Sequence, residues 1–278
     1  MLALVIGTAT AVWHLSAPAG AQEFAKFEAS QPYTAAQVLL NAEIHRPPGA
    51  GRFPAVVLMH GCGGWQPPVQ NALRSYARDL VNLGYVVLNV DSFGPRRLGE
   101  ELCLSNERLQ QALAYRTSDA FDAARYLATL PFVDPRNIFL MGQSNGGSVA
   151  MKAARAGTSA PAFRAVVAYY PWCGVFNGNV KLASPVLVFS GGKDDWVSAR
   201  ECSAVRSSGA NFSNIVYPQA RHSFDLDIPI QTYAGFSVGG DPAAAADSKN
   251  RMWAFFNDNL TEDLKRARGF AGASRLSN

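Results

Sequence analysis

A regular alternation of short apolar runs with longer amphipathic segments constrains the fold of this chain most strongly. The apolar runs occupy residues 55–59, 85–90, 137–141, 165–169 and 186–189. They have strand length and are rich in β-branched or aromatic residues, as expected for strands that are buried on both faces of a parallel sheet. Helices are predicted between and after them, over residues 68–83, 117–130, 145–156, 198–208 and 244–259. The pattern predicts an α/β fold with a mostly parallel central sheet and helices on both faces.

The chain shows no internal repeat and no linker. Residues 24–46 are expected to add antiparallel edge strands, and residues 22–264 to form a single domain. About a dozen residues separate the strands that end near Tyr170 and begin near Pro185, which is an ordinary loop length and too short for a large cap domain. The basic, Gly/Ser/Ala-rich residues 265–278 are expected to form a flexible tail.

Residues 1–21 have the order of a secretory signal peptide. An apolar stretch over residues 2–12 precedes the small triplet Ala19-Gly20-Ala21, which predicts cleavage after Ala21. The stretch is shorter than the roughly 20 residues that span a membrane, so no stable membrane insertion is expected. No Lys or Arg precedes it, and an uncleaved buried helix is the alternative. The predicted location is secreted or periplasmic.

Charge and cysteine content argue against nucleic acid and metal ions as ligands and favour paired cysteines. The net charge of +4 comes from 25 Lys and Arg against 21 Asp and Glu, and only the tail concentrates it, which argues against nucleic-acid binding as the main task. Cys62, Cys103, Cys173 and Cys202 are an even number that an oxidising compartment would pair, with free buried thiols as the alternative. They lack zinc-ligand spacing, so no metal and no cofactor are expected.

Two pentapeptides match the nucleophile-elbow pattern G-x-S-x-G, and their contexts differ. Ser144, in GQSNG, follows a predicted strand and opens a predicted helix, which is the strand-turn-helix setting that the elbow of α/β-hydrolases requires. Ser237, in GFSVG, follows no predicted strand and precedes no histidine. Ser144 is therefore the candidate nucleophile, and Ser237 is expected on a flexible loop.

A serine nucleophile needs a base and a group that orients the base. His222 is the one histidine after Ser144, and the intervening carboxylates are Asp194, Asp195 and Glu201. Glu201 falls within a predicted helix, whereas both aspartates follow a strand. We assign Asp194 to the triad and a helix-capping role to Asp195, with the reverse assignment left open.

The segment His60-Gly61-Cys62-Gly63-Gly64 directly follows a predicted strand, where α/β-hydrolases place an oxyanion loop. Its glycines allow backbone N–H groups to turn toward a substrate. We expect the N–H groups of Cys62 and Asn145 to be the oxyanion donors and His60 to orient the loop.

Five motifs in order make the chain similar to the dienelactone hydrolase family of α/β-hydrolases. They are HGCGG at 60–64, DSFGPR at 91–96, GQSNGG at 142–147, GGKD at 191–194 and YPQARHSF at 217–224. The resemblance spans about residues 37–225 and implies Ser144, Asp194 and His222 as the triad. The enzymes that give the family its name resemble this chain but use a cysteine nucleophile and carry a glutamate in the segment that corresponds to 60–64. A general carboxylic ester, rather than dienelactone, is therefore the implied substrate.

The strand order implied by this resemblance brings the cysteines together in pairs. The strands before Cys62 and Cys103 become neighbours, as do those before Cys173 and Cys202. The implied disulfides are Cys62–Cys103 and Cys173–Cys202, and both would brace active-site loops.

Several side chains fall in loops at the carboxyl ends of the predicted strands and are candidates for the substrate pocket. They are Trp65, Phe93, Arg96, Trp172, Trp196 and Phe224. Arg96 could bind a substrate carboxylate, although a structural ion pair is the more common use of such an arginine.

The leading hypothesis is a serine esterase that cleaves a small-molecule or polymeric carboxylic ester or lactone through an acyl-enzyme. A peptidase or an acyltransferase could use the same residues, because all three form an acyl-enzyme. A non-catalytic ligand-binding relative is the alternative from another class. The sequence leaves the oligomeric state open.

Overall fold

The central element is an eight-stranded sheet. The computed structural model describes residues 23–31, 37–157, 163–176 and 178–269, so the predicted signal peptide and residues 270–278 of the predicted tail lie outside the described residues. In chain order the strands are β1 Glu23–Glu28, β2 Leu39–His45, β3 Phe53–Met59, β4 Val86–Asp91, β5 Val133–Gln143, β6 Val166–Tyr169, β7 Asn179–Leu182, β8 Val186–Gly191, β9 Arg206–Gly209, β10 Phe212–Tyr217, β11 Gln231–Tyr233 and β12 Phe236–Val238. The spatial order of the large sheet is β1-β2-β4-β3-β5-β6-β8-β10.

Strand direction follows the sequence prediction. β2 runs antiparallel to β1 and to β4, whereas β4, β3, β5, β6, β8 and β10 are mutually parallel. Two small two-stranded sheets, β7 with β9 and β11 with β12, lie outside it. The predicted α/β-hydrolase fold, with its mostly parallel sheet, is thus confirmed.

Helices cover both faces of the sheet. They are α1 Pro67–Asn82, α2 Asn106–Thr129, α3 Asn145–Ala153, α4 Ala199–Ala204, α5 Pro242–Asp258 and α6 Glu262–Ala267. Along β3, Val56 and Leu58 join the core that holds α1 and α5, while Val57 and Met59 join the core that holds α2 and α3. The alternation arises because successive side chains of a strand point to opposite faces.

Two predicted helices differ from the structure by four residues or more at one end. α2 begins at Asn106 rather than near residue 117, because Ser105 caps it by accepting a hydrogen bond from the N–H of Arg108. α4 ends at Ala204, and the Ser-Ser-Gly segment after it forms β9 against β7. Serine and glycine are weak helix formers, so this pairing outweighs the helical pattern there.

No cap domain separates β6 from β8; the described part of this connection holds a short 3₁₀ turn at Cys173–Phe176 and β7. None of the helices in the described residues is long and apolar enough to cross a bilayer.

Candidate active site

Ser144 stands at a sharp turn between β5 and α3. Its backbone has φ 52° and ψ −119°, a conformation that a non-glycine residue adopts only when its surroundings enforce it. The Ser144 N–H donates to the carbonyl of Tyr169 at 2.9 Å, and its own carbonyl accepts from the N–H of Ser148 at 2.9 Å. The neighbouring strand and the following helix therefore hold the strained turn on both sides.

The two fixed glycines of the motif are required by close backbone approach. A Cβ atom on Gly142 would overlap the carbonyl group of Gly146, and one on Gly146 would overlap the carbonyls of Met59 and His60. The elbow thus presses against the end of β3, where the 60–64 loop begins. This is the physical reason for glycine on both sides of Ser144.

His222 joins Ser144 to Asp194. Its Nε2 lies 2.9 Å from the Ser144 Oγ, and its Nδ1 lies 2.8 Å from one Asp194 carboxylate oxygen. With Nδ1–H donated to the carboxylate, Nε2 is the nitrogen that can accept the serine proton. The other Asp194 oxygen accepts from the N–H groups of Trp196 and Val197, at 2.9 and 3.0 Å. Backbone hydrogen bonds to one oxygen therefore hold the carboxylate in place while its other oxygen orients the imidazole.

Two aromatic rings flank the imidazole. Tyr170 and Trp196 lie with ring centroids 4.6 and 4.8 Å from that of His222. The His222 side chain is 2% exposed, so these contacts and its two hydrogen bonds leave little freedom to rotate away from Ser144.

The hairpin of β11 and β12 supports the histidine loop, which corrects the expectation for Ser237. Ser237 lies on β12 rather than on a flexible loop, and its Oγ accepts from Arg221 Nε at 3.0 Å. The adjacent Gly239 donates its N–H to the His222 carbonyl at 3.1 Å. The sequence pattern missed this hairpin because its strands are only three residues long.

Asp195 has a structural role, but a different one from helix capping. Its carboxylate accepts the N–H of Ser237 at 2.9 Å, while Ser198 caps α4 by accepting from the N–H of Arg200 at 3.2 Å. Asp194 and Asp195 therefore separate into two tasks, one at the imidazole and one at the hairpin.

The loop after β3 lies beside the elbow. A Cβ atom on Gly61 would lie 3.4 Å from the Ser144 Cβ, which shows how closely the two turns approach. Among the described residues, the backbone N–H groups of Cys62 and Asn145 have no hydrogen-bond acceptor. Among the described residues, both N–H groups are thus available as donors, which is a requirement for stabilising an oxyanion.

His60 organises this loop from the interior. It is fully buried; Nδ1 lies 2.7 Å from the Gly61 carbonyl, and Nε2 accepts the N–H of Ser92 at 3.2 Å. Burial, reinforced by the charge of Arg116, lowers the pKa of His60 well below its ordinary value. The neutral ring donates from one nitrogen and accepts at the other, which ties the loop to the end of β4.

Asp225 is a buried carboxyl group that the sequence analysis did not single out. It accepts hydrogen bonds from Tyr76 Oη at 2.9 Å, from Gln143 Nε2 at 2.6 Å and from the hydroxyl of Tyr170. Burial raises its pKa above the ordinary range. The group connects α1, the residue before Ser144 and the tyrosine beside His222. An aspartate between Phe224 and Leu226 is the signal that could have revealed it.

Two cavities meet at Ser144 and His222, which line both of them. The smaller one, of about 100 Å³, has walls from Pro68, Val69, Leu226, Ile228 and Val238. The larger one, of about 320 Å³, is lined by Asn106, Leu109, Gln110, Ser148 and Trp172. Among the described residues that line these cavities, none carries an Asp, Glu, Lys or Arg side chain.

Trp196 lines both cavities, and Trp172 lines the larger one with 37% of its surface exposed. The other aromatic candidates do not line them. Phe93 and Phe224 are fully buried, with ring centroids 4.7 Å from His60 and 5.5 Å from Tyr170 respectively. Trp65 lies on the turn before α1, with its indole nitrogen shielded from solvent.

The expectation that Arg96 contributes to the substrate pocket is also corrected, because its guanidinium forms a structural ion pair. Its guanidinium donates two hydrogen bonds of 2.8 Å to the carboxylate of Asp119 and one of 2.7 Å to the Ser92 carbonyl. It is therefore not available to a substrate carboxylate.

Two disulfides brace the loops around the site. Cys62 pairs with Cys103 and Cys173 with Cys202, at Cα separations of 5.2 and 5.0 Å. These are the pairs that the family resemblance implies. Within the described part of the chain, no group of three or more His, Cys, Asp or Glu side chains could hold a metal ion.

The parallel sheet, the strained serine turn and the hydrogen-bonded Ser-His-Asp arrangement define a protein of the α/β-hydrolase class. The sequence profile of the dienelactone hydrolase family matches residues 40–260. The chain belongs to the dienelactone hydrolase family, which makes hydrolysis its general chemistry. No curated protein matches its sequence at a significant level.

Solved structures share the fold. A dienelactone hydrolase-like promiscuous phosphotriesterase from metagenomic libraries has a TM-score of 0.64 and 22% identity, over 87% of this chain and 100% of that one. A dienelactone hydrolase from Anabaena variabilis has a TM-score of 0.59 and 20% identity, over 86% and 99%. Thermogutta terrifontis esterase 2, phosphorylated by paraoxon, has a TM-score of 0.59 and 19% identity, over 84% and 92%.

Proposed function

We propose that this protein is a serine carboxylic-ester hydrolase that forms an acyl-enzyme on Ser144. The observation that carries the proposal is the pair of hydrogen bonds, 2.9 and 2.8 Å, that connect Ser144 through His222 to Asp194. A serine hydroxyl becomes an effective nucleophile when a base accepts its proton and a carboxylate orients that base.

The reaction has two halves. His222 accepts the Ser144 proton as the oxygen attacks the ester carbonyl, and the oxyanion forms against the N–H groups of Cys62 and Asn145. His222 then donates the proton to the leaving alcohol, and the C–O bond to that alcohol breaks. Water, activated by the same imidazole, attacks the acyl-enzyme and releases the acid, and the proton returns to Ser144.

The substrate class is an uncharged ester with one small apolar group and one larger group. The small cavity is walled mainly by apolar side chains, with a few amide and hydroxyl groups such as those of Gln66 and Tyr233, and the larger cavity likewise carries uncharged amide and hydroxyl side chains. Placing a carboxylate in either cavity would desolvate it without an opposite charge on the wall, which is unfavourable. Arg96, which could have bound such a group, is already paired with Asp119.

We further propose that the mature enzyme begins after Ala21, forms one catalytic domain over residues 22–264 and works in an oxidising compartment. The leader sequence and the two disulfides support this assignment, because structural disulfides persist mainly outside the reducing cytosol.

Two measurements on the purified mature chain test the proposal. A fluorophosphonate should add its phosphonyl group to Ser144, as located by peptide mass spectrometry, and Ser237→Ala should label as the wild type does. Neutral p-nitrophenyl butyrate should have a kcat/KM at least about tenfold above that of p-nitrophenyl hemisuccinate, whose acid is charged. Labelling at another residue would contradict the nucleophile, and equal rates would contradict the substrate class.

The peptidase and acyltransferase alternatives are tested with the same acyl group. The butyryl p-nitroanilide should be hydrolysed far more slowly than the ester, and added alcohols should not divert most of the acyl group from water. The opposite result in either assay would reassign the acyl-enzyme to that chemistry.

A further inference from the structure

Arg116, on α2, is a fully buried cation close to the site. Among the described residues, no carboxylate lies within ion-pair distance of its guanidinium, and its Nε has no hydrogen-bond partner. Nearby, buried Arg96 has both amino groups on the carboxylate of Asp119. Burying a cation without a paired anion is unfavourable for folding. Stability alone therefore gives no reason for an arginine at position 116.

The hydrogen bonds of Arg116 connect two separate loops. Nη2 donates to the His60 carbonyl at 2.6 Å, and Nη1 donates to the side-chain oxygen of Asn145 at 2.7 Å. The first bond reaches the loop after β3, two residues before Cys62. The second reaches the first residue after Ser144. One planar group thus touches both segments that carry the proposed oxyanion donors.

We propose that Arg116 is the positioning residue that holds the N–H groups of Cys62 and Asn145 in register for the oxyanion, an inference that rests on the proposed esterase function. The Asn145 side chain has its other end on α2 as well, because its Nδ2 donates to the Leu109 carbonyl at 3.3 Å. α2 therefore sets the position of one donor through Asn145 and of the other through His60.

The shape of the guanidinium suits this task. Its donors form a rigid planar fork, so the spacing between the two loops is set by covalent geometry. The Cζ atom lies 4.7 Å from the ring centroid of Phe93, which holds the group from its face. Oxyanion stabilisation depends on donors that are in place before the charge develops, and a displacement of about 1 Å can cost a hundredfold in rate.

The charge acts in the same direction as the geometry. Burial lowers the pKa of Arg116 to about 10, which leaves the side chain protonated at neutral pH. Its positive charge lies behind the loops that face the developing oxyanion, and no carboxylate of the described residues is directly paired with it. The field therefore favours the negatively charged intermediate over the neutral ester.

Arg116→Lys tests the inference, because lysine keeps the charge and lacks the fork. We expect kcat for p-nitrophenyl butyrate to fall about 10- to 100-fold with KM within about twofold. The Ki of a butyl trifluoromethyl ketone, which forms a tetrahedral oxyanion on the serine, should rise in proportion to the loss in kcat/KM. Arg96→Lys is the matched control, since it alters a buried arginine that touches neither loop; its ketone affinity should stay within about threefold of wild type.

A folded Arg116→Lys enzyme with wild-type kcat and ketone affinity would overturn the inference. If Arg116→Lys does not fold, Asn145→Ala decides, because it keeps the backbone N–H and removes the link to Arg116. It should lower kcat about tenfold and weaken the ketone in parallel; unchanged values would overturn the inference. Absence of ester hydrolysis in the wild type would instead refute the proposed function, so the two failures are distinguishable.

Discussion

The same five-residue pattern occurs in two regions of this molecule with different structures. At Gly142-Gln143-Ser144-Asn145-Gly146 it forms a strained turn from a buried strand into a helix, with positive φ at the serine. At 235–239 it contains strand β12 of the hairpin with β11, whose two turn residues, Ala234 and Gly235, have φ of 52° and 89°. The positive φ thus falls on the serine in one copy and on the turn before the strand in the other.

The difference shows that the surroundings of the glycines, rather than the five-residue pattern itself, decide which structure the segment adopts. Gly142 and Gly146 both lie against backbone carbonyls that leave no room for a Cβ atom. In the hairpin copy only Gly239 has a similarly close contact, with Ile230, and nothing lies within 4 Å of the Cβ position on Gly235. The first pair allows two chain segments to touch, and Gly235 supplies only a left-handed turn. The hairpin still serves the site, because Ser237 and Gly239 fasten the histidine loop.

The largest expected effect separates the two serines. Ser144→Ala should lower kcat for p-nitrophenyl butyrate by at least about 10⁴-fold, since the acyl-enzyme cannot form. Ser237→Ala should stay within about twofold of wild type, because only a hydrogen bond from Arg221 is lost. Steady-state kinetics of both purified variants measure this, and a Ser144→Ala enzyme with more than a hundredth of wild-type kcat would refute the assignment.

The adjacent aspartates extend the comparison to the residues that support each serine. Asp194→Asn should lower kcat about 10³- to 10⁴-fold, because an amide does not stabilise the imidazolium and favours the wrong tautomer of His222. Asp195→Asn should change kcat less than about threefold, since it weakens only the contact with the Ser237 N–H. If the pair behaved in the reverse way, the acid of the triad would be Asp195.

The glycines allow a test on stability. Gly146→Ala should lower the free energy of unfolding by about 3 kcal/mol or more, or prevent folding, because its methyl group overlaps the carbonyls of Met59 and His60. Gly235→Ala should cost only about 1 kcal/mol, the usual penalty for a side chain at positive φ. Urea unfolding measures both values, and equal losses would mean that position 146 in the elbow is no more crowded than position 235 in the hairpin turn.

The smallest expected effect concerns the buried acid behind the elbow. Burial raises the pKa of Asp225 in the folded protein, so the folded state binds a proton that the unfolded chain has released above about pH 3.9. The stability contributed by this proton is complete below that pH and is lost as the pH rises through the folded pKa. Relative to Asp225→Asn, the wild type should therefore lose up to about 1.4 kcal/mol per pH unit within that window.

Urea unfolding of the wild type and of Asp225→Asn between pH 4 and pH 7 measures how the difference in their free energies of unfolding changes with pH. Ser237→Ala provides the matched control, because it removes no titratable group and its difference from wild type should not vary with pH. A constant difference between wild type and Asp225→Asn would show that Asp225 has the same pKa in both states.

The sequence determined much of the fold because its signals are local. Five apolar runs of strand length predicted five of the six parallel strands, all except β10. The glycines around Ser144 marked a turn that requires close backbone approach. The scarcity of histidine after Ser144 singled out His222 without any structural information. The sequence did not reveal β7, β9, β11 and β12, because these strands have at most four residues each, which is too short for an alternating pattern to stand out.

Only the tertiary structure decided which side chains meet. Asp194 and Asp195 are chemically identical neighbours, yet in the folded chain one meets His222 and the other the N–H of Ser237, in a loop whose Trp196 stacks on Phe236 of the hairpin. Arg96 and Arg116 likewise look equivalent along the chain, yet one is neutralised by Asp119 and the other bridges His60 and Asn145. The physical reason is that strand patterns and turn residues act within a few positions, whereas these partners are 23 to 56 residues apart and meet only when the sheet places their loops at one edge.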